Sequence, residues 1–213
     1  MARYGMVIDL VKCIGCQGCV IRCKVEHFLP PGMFWARVLM KEYGKYPTME
    51  RRIVPTLCMH CKDPACTQVC PSGASTKRED GIVVIDYDKC IGCRYCMMAC
   101  PYGARSFCDS INDYFPGKGP TPYEEVARTQ LQTGVVMKCT FCKERIDAGT
   151  QNGLKPGIDR EATPACVINC MAKARYFGDL DDPDSEVSRL IRERHGYQLR
   201  PETGQDPSVY YLR

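Results

Sequence analysis

Sixteen of the 17 cysteines in this chain fall into four groups of four. Motifs I and III share the spacing C-x2-C-x2-C-x3-C and consist of Cys13, Cys16, Cys19 and Cys23, and of Cys90, Cys93, Cys96 and Cys100. Motifs II and IV are wider variants and consist of Cys58, Cys61, Cys66 and Cys70, and of Cys139, Cys142, Cys166 and Cys170. A cubane iron–sulfur cluster needs four thiolates, and this spacing supplies them from a short loop and one helical turn. Sixteen ligands predict four [4Fe-4S] clusters.

Structural zinc and disulfide bonds are the alternative uses for so many cysteines. Zinc sites also use C-x2-C pairs, but they separate those pairs widely, whereas motifs I, II and III each place four cysteines within 11 to 13 residues. A chain of 213 residues is large for a disulfide scaffold, and near neighbours such as Cys13 and Cys16 pair poorly. Iron–sulfur chemistry is favoured, with zinc as the main alternative. Cys108 lies outside the motifs, and we expect it to be a small buried apolar side chain.

The composition indicates a fold organised by its cofactors. The 45% of hydrophobic residues includes the cysteines, so little ordinary core remains, and metal binding should be inseparable from folding. The formal charge of +4 would fall to about −4 with four oxidised cubanes bound. Basic residues beside the motifs would offset cluster charge as readily as bind a polyanion, so no nucleic-acid surface is implied. These residues are Lys12, Arg22, Lys62, Lys89, Arg94, Lys138 and Lys143.

No arrangement typical of a catalytic site is found. The chain has no Walker A loop, no G-x-G-x-x-G fingerprint and no H-E-x-x-H motif. Its three histidines are scattered, and His60, between Cys58 and Cys61, is better explained by packing than by tuning a cluster. No stretch reaches the 18 apolar residues of a membrane span, and residues 1–11 do not resemble a secretory signal. Taken alone, the sequence predicts a soluble cytoplasmic protein that turns over no substrate.

An internal repeat organises the motifs. Val7-Ile8-Asp9 leads into motif I as Val84-Ile85-Asp86 leads into motif III, 77 residues later. Motif II matches motif IV in the same way, with 19 extra residues inserted between Cys142 and Cys166. The chain is therefore a duplicated two-cluster unit.

The gaps between motifs predict how the motifs combine. Nineteen residues separate motif II from motif III, whereas 34 and 38 separate the other neighbours. We therefore expect an α+β, loop-rich fold with two ferredoxin-like domains: an inner domain of residues 58–100, and an outer, split domain of residues 1–57 and 101–180. Residues 181–213 would form a C-terminal helix and tail.

In two-cluster ferredoxins the fourth cysteine of each motif ligates the other cluster. This rule predicts ligand set 1 (Cys13, Cys16, Cys19, Cys170), set 2 (Cys58, Cys61, Cys66, Cys100), set 3 (Cys90, Cys93, Cys96, Cys70) and set 4 (Cys139, Cys142, Cys166, Cys23). Spacing alone also allows four self-contained motifs.

Local signals predict three further elements. A β-rich run at residues 81–86 follows a polar turn and should form a hairpin. Thr121-Pro122-Tyr123-Glu124 has the spacing of a capping box, so a helix should run to about Leu131. A second helix should start at Asp182-Pro183 and stop at Gly196. Residues 116–121 and 149–163 are expected to be loop-like insertions, used as partner surfaces or merely tolerated.

The motif order, together with several short segments, resembles the four-cluster electron-transfer subunit of the dimethyl sulfoxide reductase family. The segments are Pro71-Ser72-Gly73-Ala74, Lys138-Cys139-Thr140-Phe141-Cys142, Tyr176-Phe177-Gly178-Asp179-Leu180 and Pro207-Ser208-Val209-Tyr210-Tyr211-Leu212. The start of the chain most resembles the small subunits of polysulfide, thiosulfate, tetrathionate and arsenate reductases. The family pattern has the same ligand pairing and a proline where Met171 stands here. Nitrate reductase relatives carry tryptophan at the position of Cys93, so the cysteine here implies four cubanes.

The resemblance implies a molybdopterin catalytic subunit as partner and, in many relatives, an integral membrane quinone-binding subunit. It also implies that the chain reaches the outer, periplasmic face of the membrane with a signal-bearing partner, against the cytoplasmic expectation above. Two other classes remain open: a free polyferredoxin, and the electron-transfer subunit of a cytoplasmic hydrogenase, formate dehydrogenase or transhydroxylase complex. The proteins that co-purify with the chain would separate them.

Anaerobically purified protein should contain about 16 iron and about 16 labile sulfide atoms per chain, because each cubane holds four of each. Elemental analysis and a sulfide assay measure both quantities. Near-stoichiometric zinc with little sulfide would contradict the iron–sulfur interpretation.

Overall fold

The computed structural model describes residues 2–213, and in that range it contains nine short strands and seven α-helices. The strands are β1 (Tyr4–Asp9), β2 (Arg37–Tyr43), β3 (Glu50–Thr56), β4 (Ser75–Lys77), β5 (Val83–Ile85), β6 (Arg105–Cys108), β7 (Val135–Lys138), β8 (Arg175–Asp179) and β9 (Val209–Leu212). The helices are α1 (Gly18–Glu26), α2 (Ala65–Gln68), α3 (Tyr95–Met98), α4 (Pro122–Gln130), α5 (Lys143–Gln151), α6 (Ala165–Ile168) and α7 (Glu186–Glu193). Short elements of both kinds confirm the predicted α+β, loop-rich class.

The largest sheet brings together segments from near both ends of the sequence. Its order is β8-β1-β9, with β1 antiparallel to β8 and parallel to β9. Met6, Val7 and Ile8 of β1 are fully buried. A central strand covered on both faces has such a continuous apolar run. Tyr211 of β9 is also fully buried, and its hydroxyl donates to the Pro55 carbonyl of β3 at 2.9 Å.

Three antiparallel hairpins make up the other sheets: β2-β3, β4-β5 and β6-β7. The hairpin β4-β5 is the one predicted around residues 81–86, with Gly81 in the turn at a positive φ of 82°. The hairpin β2-β3 was not predicted, because most of its residues are exposed and its sequence shows no apolar alternation. Leu39, Met40 and Tyr43 of β2 remain on the surface.

The helix predicted after Thr121 is confirmed. The Thr121 side chain accepts from the Glu124 backbone N–H, and the Glu124 carboxylate accepts from the Thr121 backbone N–H. The helix runs over Pro122–Gln130. The C-terminal helix was predicted to begin at Asp182 but begins at Glu186. Asp182 instead accepts from the Asp184 N–H in a local turn, and Ser185 caps the helix by accepting from the Ser188 N–H.

The expectation of a loop across residues 149–163 is wrong at its start, because α5 continues to Gln151. Gly149 is accommodated within this helix by close packing: a Cβ added there would lie 2.4 Å from the Ala162 Cβ. The absence of a side chain therefore lets the rest of the insertion fold back onto α5.

Cysteines form part of the main hydrophobic core. Cys23, Cys58, Cys61, Cys139 and Cys166 are buried there. Apolar neighbours in the same core include Trp35, Phe141, Ile146 and Tyr211. This core draws on residues from all three predicted segments, and the division into an inner and an outer domain stays a prediction.

Tyr211→Phe should lower the free energy of unfolding by about 1 kcal/mol or more, because the Pro55 carbonyl loses its hydroxyl partner. Anaerobic denaturant unfolding measures this. Tyr46 is 91% exposed, so Tyr46→Phe is a matched control that should leave stability unchanged. Equal stability of Tyr211→Phe and the wild type would show that this hydrogen bond does not hold β9 in place.

Candidate metal centres

The ligand loops of motifs I and III adopt the same backbone conformation. Gly15 and Gly92 have positive φ angles of 70° and 67°, and Gln17 and Arg94, which precede α1 and α3, are also left-handed. A Cβ on Gly92 would lie 2.2 Å from the Gly134 carbonyl oxygen. Glycine thus permits each loop to turn and, at Gly92, to pack closely against a neighbouring backbone segment.

Set 4 is fully buried. Cys23 lies at the end of motif I, yet its neighbours include the thiols of Cys139, Cys166 and Cys142. Burial raises the pKa of the Cys23 thiol well above its ordinary value, and these three neighbours raise it further. The structure therefore brings together the four cysteines of set 4, although they come from motifs more than 100 residues apart.

Set 2 is assembled in the same way. Burial raises the pKa of Cys61, and the thiols of Cys58, Cys66 and Cys100 add to the effect. Cys100 is the last residue of motif III, whereas the other three belong to motif II. Cys100 thus neighbours Cys61 of motif II, and the assignment of these four cysteines to one cluster stays a prediction.

Set 1 lines a small cavity. The cavity wall includes all four cysteines of the set, together with Arg175. Burial raises the pKa of Cys13, and its neighbours include Arg175, Cys19 and Cys170. Val38 of β2 and Pro55 of β3 also line the cavity, so the unpredicted hairpin serves to cover this site.

Set 3 lies partly at the surface. The Cys96 thiol has Cys70 and Cys90 as neighbours, with Cys70 contributed by motif II. Cys93 is exposed, beside exposed Ile91 and Tyr95. The structure thus groups three members of this set and places the fourth at the protein surface.

The four sets follow one another in a line. Cys19 of set 1 neighbours Cys166 of set 4, and Cys58 of set 2 neighbours Cys139 of set 4. Arg105 contacts both set 2 and set 3. These neighbours place the sets in the order 1–4–2–3, and all of set 4 together with Cys58 and Cys61 of set 2 is buried.

Backbone amides already point at several of the sulfur atoms. The N–H groups of Ser75 and Ala174 donate to Cys70 and Cys170 at 3.4 and 3.3 Å. Phe141 and Ala165 donate to Cys139 and Cys142, both at 3.4 Å. Although burial raises the pKa of Cys70, these and neighbouring hydrogen bonds hold it below its ordinary value. Such donors stabilise thiolates, which is the protonation state that binds metal.

Buried arginine side chains beside the cysteine sets show whether the sets could hold an anionic iron–sulfur cluster. Arg105 and Arg175 are 4% and 5% exposed, and each keeps one buried guanidinium nitrogen without a hydrogen-bond partner, Nη1 of Arg105 and Nη2 of Arg175. An unpaired buried donor costs about 1–3 kcal/mol. The cost disappears if an acceptor such as a cluster sulfide lies beside it, so these residues fit an iron–sulfur cluster.

A site for one metal ion would need side chains that converge on a single point. Within residues 2–213 no group of three or more His, Cys, Asp or Glu side chains is arranged to hold one metal ion. A cubane binds each of its four thiolates to a different iron, so its ligands need not converge on one point.

Sequence reasoning identified one of the three buried cations and missed two. Of the seven basic residues noted beside the motifs, Lys138 alone is buried. Arg105 and Arg175 were not noted, although each follows the last cysteine of a motif by five residues in the pattern Ala-Arg-x-Phe. That repeated pattern is the signal that could have identified them.

His60 and Cys108, which the sequence also singles out, are structural. His60 is buried, stacks on Phe141 with ring centroids 3.8 Å apart, and accepts from the Val83 N–H at 3.0 Å. Cys108 is fully buried at the end of β6. Met171 is 84% exposed, and the turn after Cys170 forms without the proline that follows Cys70 and Cys100.

Across the described residues, no helix combines the length and the apolar character needed to cross a bilayer.

Known proteins resemble this chain along its whole length. A model of the 4Fe-4S dicluster domain matches residues 49–115, which agrees with the expected ferredoxin-like organisation. A Halobacterium salinarum protein assigned as an iron–sulfur subunit of dimethyl sulfoxide reductase is 48% identical over 225 residues, covering all of this chain and 79% of its own. A selenate reductase subunit of Mesobacillus selenatarsenatis is 41% identical, covering 99% of this chain and 72% of its own. The arsenate respiratory reductase iron–sulfur subunit of a Shewanella species is 38% identical, with 99% and 96% covered.

Cys70→Ser should alter the paramagnetic signal of the cluster held by Cys90, Cys93 and Cys96, because Cys70 lies with that set. Electron paramagnetic resonance of the reduced protein measures the effect, and Cys108→Ser, outside every set, is the control. A change confined to the cluster of Cys58, Cys61 and Cys66 would instead indicate self-contained motifs.

Proposed function

This chain belongs to the iron–sulfur subunits of the dimethyl sulfoxide reductase family, and from that premise we propose that it conducts electrons through four [4Fe-4S] clusters to or from a molybdopterin catalytic subunit. Subunits of this kind transfer electrons and leave substrate chemistry to a partner. The chain is accordingly an electron-transfer subunit that carries iron–sulfur clusters and works within a reductase complex.

The linear order of the ligand sets is the observation that carries the proposal. All of set 4 and Cys58 and Cys61 of set 2 are buried, whereas Cys16 of set 1 and Cys93 of set 3 are exposed. Each exposed cysteine lies beside an exposed apolar side chain, Ile14 or Ile91, both 67% exposed. A path that is buried in the middle and open at both ends suits a conductor between two partners.

The residues of the chain perform three tasks along this path. When bound, iron–sulfur clusters exchange single electrons. The cysteines hold them in sequence, and the core around Cys58, Cys139 and Cys166 excludes water from the middle of the path. Backbone N–H groups and buried cations offset the negative charge that accompanies reduction.

The proposal includes a membrane-bound quinone-handling subunit as the second partner and a position on the outer face of the membrane. Its support is the resemblance to respiratory reductase subunits, among them the selenate and arsenate relatives. Co-export with a signal-bearing catalytic partner would bring the chain there.

Anaerobic purification of the tagged chain from cell fractions should recover it with a molybdopterin protein in the membrane fraction, on the periplasmic side. Recovery in the cytosol as a free monomer would indicate a polyferredoxin.

The cluster-loaded subunit alone should be reduced by dithionite and reoxidised by artificial acceptors, yet be inert toward oxyanion and sulfur substrates. Activity should appear when the catalytic subunit is added, because no substrate site was found in this sequence. Substrate-dependent reoxidation of the reduced subunit, followed optically, measures this. Turnover by the isolated subunit at the rate of the complex would overturn the conductor role.

A further inference from the structure

Three buried cations lie along the path, and none is paired with a carboxylate. Arg105, Lys138 and Arg175 are 4%, 1% and 5% exposed. Among the described residues, the salt bridges involve other basic side chains. Removing an unpaired cation from water into the protein interior costs several kcal/mol of folding free energy. Attraction to an anion beside it can offset that cost. These cations therefore require another anion, and cysteine thiols are the acidic groups that neighbour all three of them.

Arg105 occupies the junction between sets 2 and 3. Its Nη2 donates to the Cys66 sulfur of set 2 at 2.8 Å and to the Ser75 hydroxyl at 2.8 Å. Ser75 in turn donates its N–H to Cys70 of set 3, and Cys96 of set 3 also neighbours the guanidinium. One guanidinium thus faces ligands of two sets.

Arg175 occupies the equivalent junction between sets 4 and 1. Its Nη1 lies 3.6 Å from the Cys166 sulfur of set 4. The same side chain lines the cavity of set 1 and neighbours Cys19 and Cys170. The adjacent residue, Ala174, donates its N–H to Cys170.

Lys138 fills the remaining junction, between sets 4 and 2. Its neighbours include Cys139 of set 4, and Cys58 and Cys66 of set 2. Its ammonium group donates to the carbonyls of Val83 and Cys139, which anchors it between the two sets. Each of the three junctions in the order 1–4–2–3 therefore contains one buried cation.

We propose that Arg105 and Arg175 are shared counter-charges, each raising the reduction potentials of the two clusters that it separates. Reduction adds one negative charge to a cluster, and a fixed cation in a low-dielectric interior stabilises that charge. Because each guanidinium faces two ligand sets, it acts on two potentials at once and offsets repulsion between neighbouring reduced clusters. An arginine keeps its charge throughout the physiological pH range. The inference rests on the proposed four-cluster path. The two arginines would influence electron transfer through their charge, by changing the reduction potentials of the clusters.

The test is a redox titration of the intact complex, followed by electron paramagnetic resonance, with signals assigned through Cys→Ser variants of each set. In Arg105→Gln the equilibrium constants for reducing clusters 2 and 3 should both fall about tenfold, which is about 59 mV for one electron. Clusters 1 and 4 should be unchanged. In Arg175→Gln the equilibrium constants for reducing clusters 1 and 4 should fall, and those for clusters 2 and 3 should be unchanged. Arg192 is exposed and distant from the motifs, so Arg192→Gln is the matched control and should shift no potential.

Arg105→Lys separates charge from shape, because it keeps the charge and loses the guanidinium fork. It should retain potentials closer to the wild type than Arg105→Gln does. If Arg105→Gln assembles fewer clusters, the lysine variant should restore the full iron content. Unchanged potentials in a fully loaded Arg105→Gln variant, a shift in one cluster only, or an equal shift in both variants would overturn the inference. Iron and sulfide content of the wild type separately tests the four-cluster path itself.

Discussion

The sharing of each candidate centre by cysteines from distant parts of the chain is the constraint on which the rest of the structure depends. Cys23 lies with Cys139, Cys142 and Cys166, and Cys170 lies with Cys13 and Cys19. The three-stranded sheet supports set 1 through β1 and β8, whereas no sheet within residues 2–213 connects the segments of set 4, and sets 2 and 3 have only two-stranded hairpins beside them. Helices of four residues and two-stranded hairpins are marginal by themselves, so these junctions hold the fold together. We therefore expect folding and metal binding to be one process.

Electrostatics follows from the same arrangement. Burial raises the pKa of most thiols in the middle of the path, to about 12 for Cys139, so without metal these groups favour the neutral form. Binding iron removes their protons and leaves negative charge in the interior. Backbone amides and buried cations are already placed to receive it. A chain with a formal charge of +4 thus holds its decisive positive charges inside, where they face the cofactors.

Local signals were enough to predict local structure. The capping box at Thr121 and the β4-β5 hairpin depend on neighbouring residues, and both form as expected. The start of α7 was missed by a few residues because Ser185 and Asp182 are both good capping residues. The exposed hairpin β2-β3 lacks an apolar pattern, so its strands had no sequence signal. Motif spacing and the ferredoxin rule grouped the cysteines, whereas the intercluster role of Arg105 and Arg175 depends on tertiary contacts that spacing does not encode.

Anomalous diffraction at the iron absorption edge, from anaerobic crystals of the complex, would show whether cysteines of different motifs share each cluster. It locates iron independently of any assumed ligation. We expect four separate iron peaks per chain, ordered 1–4–2–3, each surrounded by the sulfur atoms of one ligand set. Fewer than four peaks, or a peak bound by four cysteines of a single motif, would contradict the shared arrangement on which the fold and the electron path both depend.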